Sequence, residues 1–151
     1  MLFRSAANNP APAYYGRLMR ARDYSRRAAE AAVRADSKET AALWRGAAGL
    51  REAEFGNPAA AKQNVDAALS LSSGRDIKLL AALTLARAGD TTNAKRLAEQ
   101  LKLEKTASTN TMLKFYCLPT IDAAIEISKN NPSQAVLNLE EIGRASCRER
   151  V

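Results

Sequence analysis

The sequence contains no histidine. This absence excludes more kinds of catalytic and metal-binding site than any other feature of the sequence. Histidine is the usual general base near neutral pH, the commonest metal ligand and the partner in Ser-His and Cys-His catalytic pairs. The carboxylate pairs Glu52/Glu54 and Glu140/Glu141 do not replace it, because neighbours at such spacings point to different sides of a helix. We expect these carboxylates on a solvated surface, and we expect a chain that is not an enzyme and holds no cofactor or metal.

Cysteines, aromatic residues and long apolar runs are scarce as well. Aromatic residues make up 5% of the chain, whereas hydrophobic residues make up 46%, much of it alanine. Small side chains let helices approach closely, which favours stacked helix pairs over a sandwich or a barrel. We expect Cys117, beside Tyr116 and Leu118, to fill part of the core. No run of about 18 apolar residues occurs, so we expect no membrane span in this segment and leave its localisation open.

The clearest feature that is present is a helical hairpin from Glu39 to Ser73. Gly56 favours the left-handed backbone that ends a helix, Asn57 can cap the next one, and Pro58 suits a first helical position. Such an alanine-rich hairpin cannot bury its apolar face alone, so further copies are expected along the chain. The apolar residues recur with a period near 3.6 on both sides of the break: Leu43, Trp44, Ala47, Leu50 and Ala53, then Ala61, Val65, Ala68, Leu69 and Leu71.

The copies share a spacing in which small or apolar residues follow a glycine by five, nine and twelve positions. The interval from Gly56 to Gly89 is 33 residues, as in short-period helical arrays, while that from Gly16 to Gly56 is 40. A fourth, looser copy begins at Asn130, and Pro119 either kinks the helix before it or begins the second part of that helix. The residues at these three spacings, copy by copy, are Ala21, Ser25 and Ala28; Ala61, Val65 and Ala68; Ala94, Ala98 and Leu101; and Ala135, Leu139 and Ile142.

These repeats resemble the tetratricopeptide repeat, in which small residues lie where two helices cross and a glycine precedes the second helix. Arg45 and Glu52 depart from that pattern, because they stand where it prefers large aromatic residues. The resemblance implies an all-α fold: a right-handed superhelical array of antiparallel helix pairs, that is, a tetratricopeptide-like α-solenoid. We expect this repeat domain, truncated, over residues 13–141, after a disordered or frayed N-terminus at residues 1–12.

Longer segments resemble the C-terminal helical-repeat region of bacterial eukaryotic-like serine/threonine protein kinases. They are YYGRLMRARDYSRRA, ETAALWRGAAGLREAEFGN, GRDIKLLAALTLARAGDTTNAKRLAEQL and YCLPTIDAAIEISKNNPSQAVLNLE, which together span about Tyr14 to Glu141. This resemblance implies a non-catalytic interaction, scaffold or sensory module with a protein or peptide ligand, in a parent located at the inner membrane. The kinase motifs are absent from the chain itself. Two alternatives stay open: the sensor arm of a transcriptional regulator or cyclase, and a truncated assembly product with no independent role.

The last ten residues, Ile142–Val151, break the preceding helical pattern. They read IGRASCRERV, which is the translation, residue for residue, of the sequencing-adapter bases ATCGGAAGAGCGTCGTGTAGGGAAAGAGTG. We therefore expect this tail to be non-native and the natural sequence to differ after Glu141. Without the tail the formal charge falls from +7 to +5, with 20 basic and 15 acidic residues, and Cys117 is the one native cysteine.

Charged residues suggest two candidate surfaces. The first is a basic stripe of Arg20, Arg27 and Arg34, spaced seven apart on a helix that also carries Asp23 and Glu30. A solvent-facing side of this helix is favoured over a site for phosphate or anionic lipid, and nucleic acid is not expected as a partner.

The second candidate surface is a concave groove lined by the first helix of each pair, within residues 39–55, 75–88 and 108–129. Its candidate peptide-binding residues are Arg45, Arg51, Glu52, Lys78 and Arg87.

Overall fold

The computed structural model describes residues 15–104 and 110–148, and every regular element in these ranges is helical. The segment expected to be disordered or frayed, residues 1–12, lies outside the described residues. A π-helical turn, Leu113–Cys117, runs directly into the sixth helix, so that Pro119 falls in the first turn of that helix. The helices are α1 (Leu18–Arg34), α2 (Lys38–Glu54), α3 (Pro58–Leu71), α4 (Arg75–Arg87), α5 (Thr91–Lys102), α6 (Leu118–Ser128) and α7 (Pro132–Arg148).

Residues with left-handed backbone separate the helices at the predicted breaks. Gly56 has φ 76° between α2 and α3, Gly89 has φ 85° between α4 and α5, and Asn130 has φ 59° between α6 and α7. Gly16, at φ 71°, precedes α1 in the same way. The breaks inferred from Gly56, Gly89 and Asn130 are thus confirmed, because these residues tolerate positive φ better than others do. Asn57 stands at the N-cap of α3, but its side chain makes no capping hydrogen bond.

The spacing of five, nine and twelve residues after each break identifies the buried face of three helices. In α1 the last member of the set, Ala28, is half-buried. The set in α7 is less well covered, since Leu139 is 40% exposed and Ile142 is half-buried. The buried members are Ala21 and Ser25 in α1, Ala61, Val65 and Ala68 in α3, Ala94, Ala98 and Leu101 in α5, and Ala135 in α7.

The buried face of α2 differs from the predicted one. Leu43 and Ala47, expected inside, are exposed. A Cβ atom on Gly49 would lie 3.1 Å from the carbonyl oxygen of Ala61 in α3, so α2 approaches its neighbours too closely for larger side chains. Since α2 packs against α1, α3 and α4 together, the smallest residues take the inner positions. They are Ala41, Ala42, Gly46, Ala48 and Gly49, with Glu52 as the polar exception.

The contacts between helices follow the order of the chain. The pairs α2 with α3, α4 with α5, and α6 with α7 pack together, and α4 also packs against both α2 and α6. Within the described ranges α1 makes no extensive contact with α6, which a closed bundle would require. The largest core cluster joins α3, α4, α5 and α6. Its members include Val65, Ala81, Leu85, Leu97, Ile121 and Ile125.

The last helix continues beyond its expected end. The helical pattern was predicted to break at Ile142, and this is wrong, because α7 runs to Arg148. Residues 142–148 contain no proline, and their alanine and arginines favour helix, so the backbone can continue through them. The adapter origin of these residues stays a prediction.

Among the described residues, no helix combines the length and the apolar character that crossing a membrane requires.

Candidate interaction surfaces

Glu52 is the centre of a polar contact that joins α1, α2 and the start of α3. Its carboxylate accepts hydrogen bonds from Nε and Nη2 of Arg22, both at 2.7 Å, and from Nδ2 of Asn57 at 3.0 Å. Glu52 is only 3% exposed, so the expectation that it faces outward is wrong. Its burial is explained by the two hydrogen bonds from Arg22 of α1, which pair the carboxylate with a guanidinium. The sequence offered one indication of this contact: Glu52 stands where the tetratricopeptide pattern prefers a large aromatic residue.

The two arginines near this contact have different surroundings. The hydrogen bonds from Arg22, more than any other contact, lower the pKa of Glu52, and they outweigh the effect of burial. Arg51 donates through Nη2 to the hydroxyl of Ser25 in α1, and burial lowers the pKa of its guanidinium. The Nε atom of Arg51 is buried and has no hydrogen-bond partner within the described part of the chain. Arg51 and Glu52 are therefore packing residues between α1 and α2 and not members of an open groove.

The remaining predicted groove residues do not meet at one place. Lys78, half-buried on α4, pairs with Glu104 through Nζ and Oε1 at 3.0 Å. Arg87 is exposed in the last turn of α4. Arg45 is half-buried on α2, where it lines a hollow between α1 and α3. The five residues thus divide among an internal contact, an ion pair, a helix end and a separate hollow.

The basic stripe on α1 is exposed along its whole length. Arg20, Arg27 and Arg34 all face solvent, on the side of α1 opposite its buried residues Ala21, Ser25, Ala29 and Ala32. Asp23 lies 3.8 Å from Nη1 of Arg27 and is hydrogen-bonded to Arg26, which also binds Glu30 at 2.9 Å. Asp23 and Glu30 therefore balance part of the positive charge of α1, which agrees with a solvent-facing surface.

The hollow beside Arg45 was not anticipated from the sequence. It has a volume of about 450 Å³ and lies between the C-terminal halves of α1 and α3, above the first half of α2. Val33 and Leu71 supply apolar walls, and Arg34 and Arg45 supply guanidinium groups. These two arginines were expected on different surfaces, because they belong to different helices.

Titratable and metal-ligating side chains are scattered over the described residues. No group of three or more His, Cys, Asp or Glu side chains in these ranges could hold a metal ion. Cys117 is half-buried, and burial raises the pKa of its thiol, which disfavours the nucleophilic thiolate. Burial also raises the pKa of Asp122, with the nearest cation, Nζ of Lys102, 3.8 Å away. These groups suit structural roles.

Comparisons of the chain with protein-family models, with curated proteins and with solved structures gave no match.

Proposed function

We propose that this chain is a non-catalytic module that binds a protein or peptide, built as a tetratricopeptide-like α-solenoid. The observation that carries the proposal is the order of the helix contacts: α4 packs against both α2 and α6, and each of these three helices also packs against the helix that follows it. An array in which each pair contacts only its neighbours has no closed core, and it presents the first helices of the pairs side by side. Such a surface is suited to an extended ligand.

The exposed residues of these first helices support a binding role. Leu43 on α2 and Ile127 on α6 are large apolar side chains that remain 41% and 57% exposed. Phe55, at the C-terminal end of α2, is likewise exposed. Apolar side chains of this size supply contact area when a partner covers them.

The parent of this module is proposed to be a bacterial serine/threonine protein kinase. The support is the resemblance of the segments between about Tyr14 and Glu141 to the repeat region of such kinases. The test is the nucleotide sequence of the source locus upstream of Tyr14 and downstream of Glu141. Kinase motifs upstream would support the proposal, whereas a winged helix or a cyclase domain would overturn it.

The binding role is tested by selecting peptides from a random twelve-residue display library on the folded chain, followed by calorimetry and NMR mapping. We expect saturable binding that shifts amide signals of α2, α4 and α6 together. The solenoid itself is tested by small-angle scattering, which should show an open particle. Scattering from a closed globule, or no peptide above the background of a denatured control, would refute the proposal.

A further inference from the structure

We propose that the hollow between α1 and α3 binds an acidic peptide segment that also carries an apolar residue. In this arrangement Arg34 and Arg45 hold a carboxylate of the peptide, while Val33 and Leu71 contact an adjacent aliphatic side chain. The inference rests on the proposed function of a peptide-binding module and names both a site and a ligand class for it.

The two arginines that line the hollow are without partners. Among the residues that the structure describes, neither Arg34 nor Arg45 makes a hydrogen bond or an ion pair. Arg45 is half-buried, and none of the described residues offers its guanidinium an acceptor. A bound carboxylate would supply the missing acceptor, and planar guanidinium groups match carboxylate geometry well.

Three other arginines near α1 have an acceptor within the protein, whereas the exposed Arg17 and Arg20, outside the hollow, have none among the described residues. Arg22 binds Glu52 through two hydrogen bonds, Arg26 binds Asp23 and Glu30, and Arg51 binds Ser25. The surroundings of the hollow thus differ from those of the internal contact between α1 and α2, where Arg22 donates to Glu52 and Arg51 donates through Nη2 to Ser25. Arg34 and Arg45 differ from the exposed Arg17 and Arg20 because they line one hollow together with apolar side chains.

One acidic residue also lines the hollow, and it is already neutralised. The carboxylate of Glu30 accepts a hydrogen bond from Nη1 of Arg26 at 2.9 Å. Its charge is therefore balanced by Arg26, which does not line the hollow, and the charges of Arg34 and Arg45 remain uncompensated. The two unpaired guanidinium groups of Arg34 and Arg45 therefore favour an anion in the hollow.

The walls of the hollow select among anionic ligands. Val33 is 50% exposed there, and Leu71 is half-buried, so an aliphatic group can cover both. No aromatic residue lines the hollow, which leaves no stacking platform for a nucleotide base. A free phosphate would leave the apolar walls uncovered. The volume of about 450 Å³ lies within the range of small-ligand sites and has room for a few side chains of a peptide.

The experiment measures fluorescence anisotropy of a labelled eight-residue peptide with two Leu–Glu pairs, against the same peptide with Gln in place of Glu. We expect the Glu peptide to bind about tenfold more tightly, and Arg34→Gln and Arg45→Gln each to weaken it about tenfold, as for loss of a charge-assisted hydrogen bond. Arg20→Gln is the matched control, because it removes the same charge from an exposed position on the same helix outside the hollow. We expect it to change the affinity less than about twofold.

A second variant, Ser70→Trp, keeps both arginines and fills the hollow from the exposed side of α3. With helical content unchanged by circular dichroism, it should abolish binding of the Glu peptide. Equal weakening by Arg20→Gln and Arg45→Gln, or displacement of the peptide by inorganic phosphate alone, would overturn the inference. Binding that survives Ser70→Trp and shifts signals of α2, α4 and α6 would overturn the site but keep the proposed function. Absence of binding by any peptide would overturn both.

Discussion

Replacement of Glu52 by glutamine tests whether the contact between α1 and α2 stabilises the fold. The carboxylate accepts three hydrogen bonds while only 3% exposed, two from Arg22 and one from Asn57. Glutamine keeps one oxygen acceptor, so at least one of these donors would face an amide N–H group instead. A buried donor left without an acceptor costs free energy in addition to the lost bond.

The expected loss follows from these contacts. A hydrogen bond to a charged group contributes about 1.5–3 kcal/mol, and glutamine would lose one or two of the three bonds to Glu52, depending on which oxygen its amide nitrogen replaces. Because the side chain of Arg22 is 41% exposed and can be hydrated, the sum is reduced. We expect Glu52→Gln to lower the free energy of unfolding by about 2–4 kcal/mol, a large fraction of the stability of a domain of this size.

Urea unfolding measures this loss through circular dichroism and the fluorescence of Trp44, which is half-buried on the same helix. Glu54→Gln is the matched control, since Glu54 is exposed two residues further along α2. Combining Arg22→Gln with Glu52→Gln should give a non-additive result, because the two residues share one contact. If Glu52→Gln cost no more than Glu54→Gln, the contact would not stabilise the fold and the argument would be refuted.

Three further predictions use the same unfolding assay. Gly56→Val should lower the free energy of unfolding by about 1–2 kcal/mol through backbone strain alone, since φ is 76° and a Cβ would meet nothing within 4 Å. Gly49→Ala should lower it by about 1–3 kcal/mol, despite the better helix propensity of alanine, because the Cβ lands 3.1 Å from the carbonyl oxygen of Ala61. The lowered pKa of Glu52 stabilises the fold above its ordinary value near 4.5, and this contribution is lost as the pH falls through the lower folded-state pKa. Below about pH 5 the original chain should therefore lose stability more steeply than Glu52→Gln does.

Specific outcomes would contradict these predictions. A Gly56→Val protein as stable as Gly56→Asn would show that the left-handed backbone is not required at this turn, since asparagine tolerates it. An unchanged or raised stability of Gly49→Ala would mean that α3 can move away from α2 at no cost. Parallel pH profiles for the original chain and Glu52→Gln would mean that the ion pair does not set the acid sensitivity.

The local sequence was sufficient to predict the breaks at Gly56, Gly89 and Asn130 and most of the buried residues in α1, α3 and α5. Glycine and asparagine at positive φ mark the turns because their backbone preference depends on the residue itself. The positions five, nine and twelve residues later lie on one helix face because of the helical period, and burial follows in α1, α3 and α5. Leu139 is an exception: within the described residues α7 packs extensively only against α6 and the π-helical turn, and Leu139 remains 40% exposed.

The tertiary structure alone decided which residues of α2 are inside. The helical period marked Leu43 and Ala47 as apolar, but contact with three helices leaves room only for residues such as Gly46 and Gly49. Glu52 is another case: a glutamate at this spacing suggests a solvated surface, and its burial depends on Arg22, 30 residues earlier in the chain.

Local backbone preference and helical period thus determined the turns at Gly56, Gly89 and Asn130 and, for α1, α3 and α5, which face is inside. Only the packing of distant helices decided that Glu52 lies in an internal ion pair and that Arg34 and Arg45 line one hollow. The physical reason is that a charged side chain acts through the groups within a few ångströms of it, and those groups come from other helices.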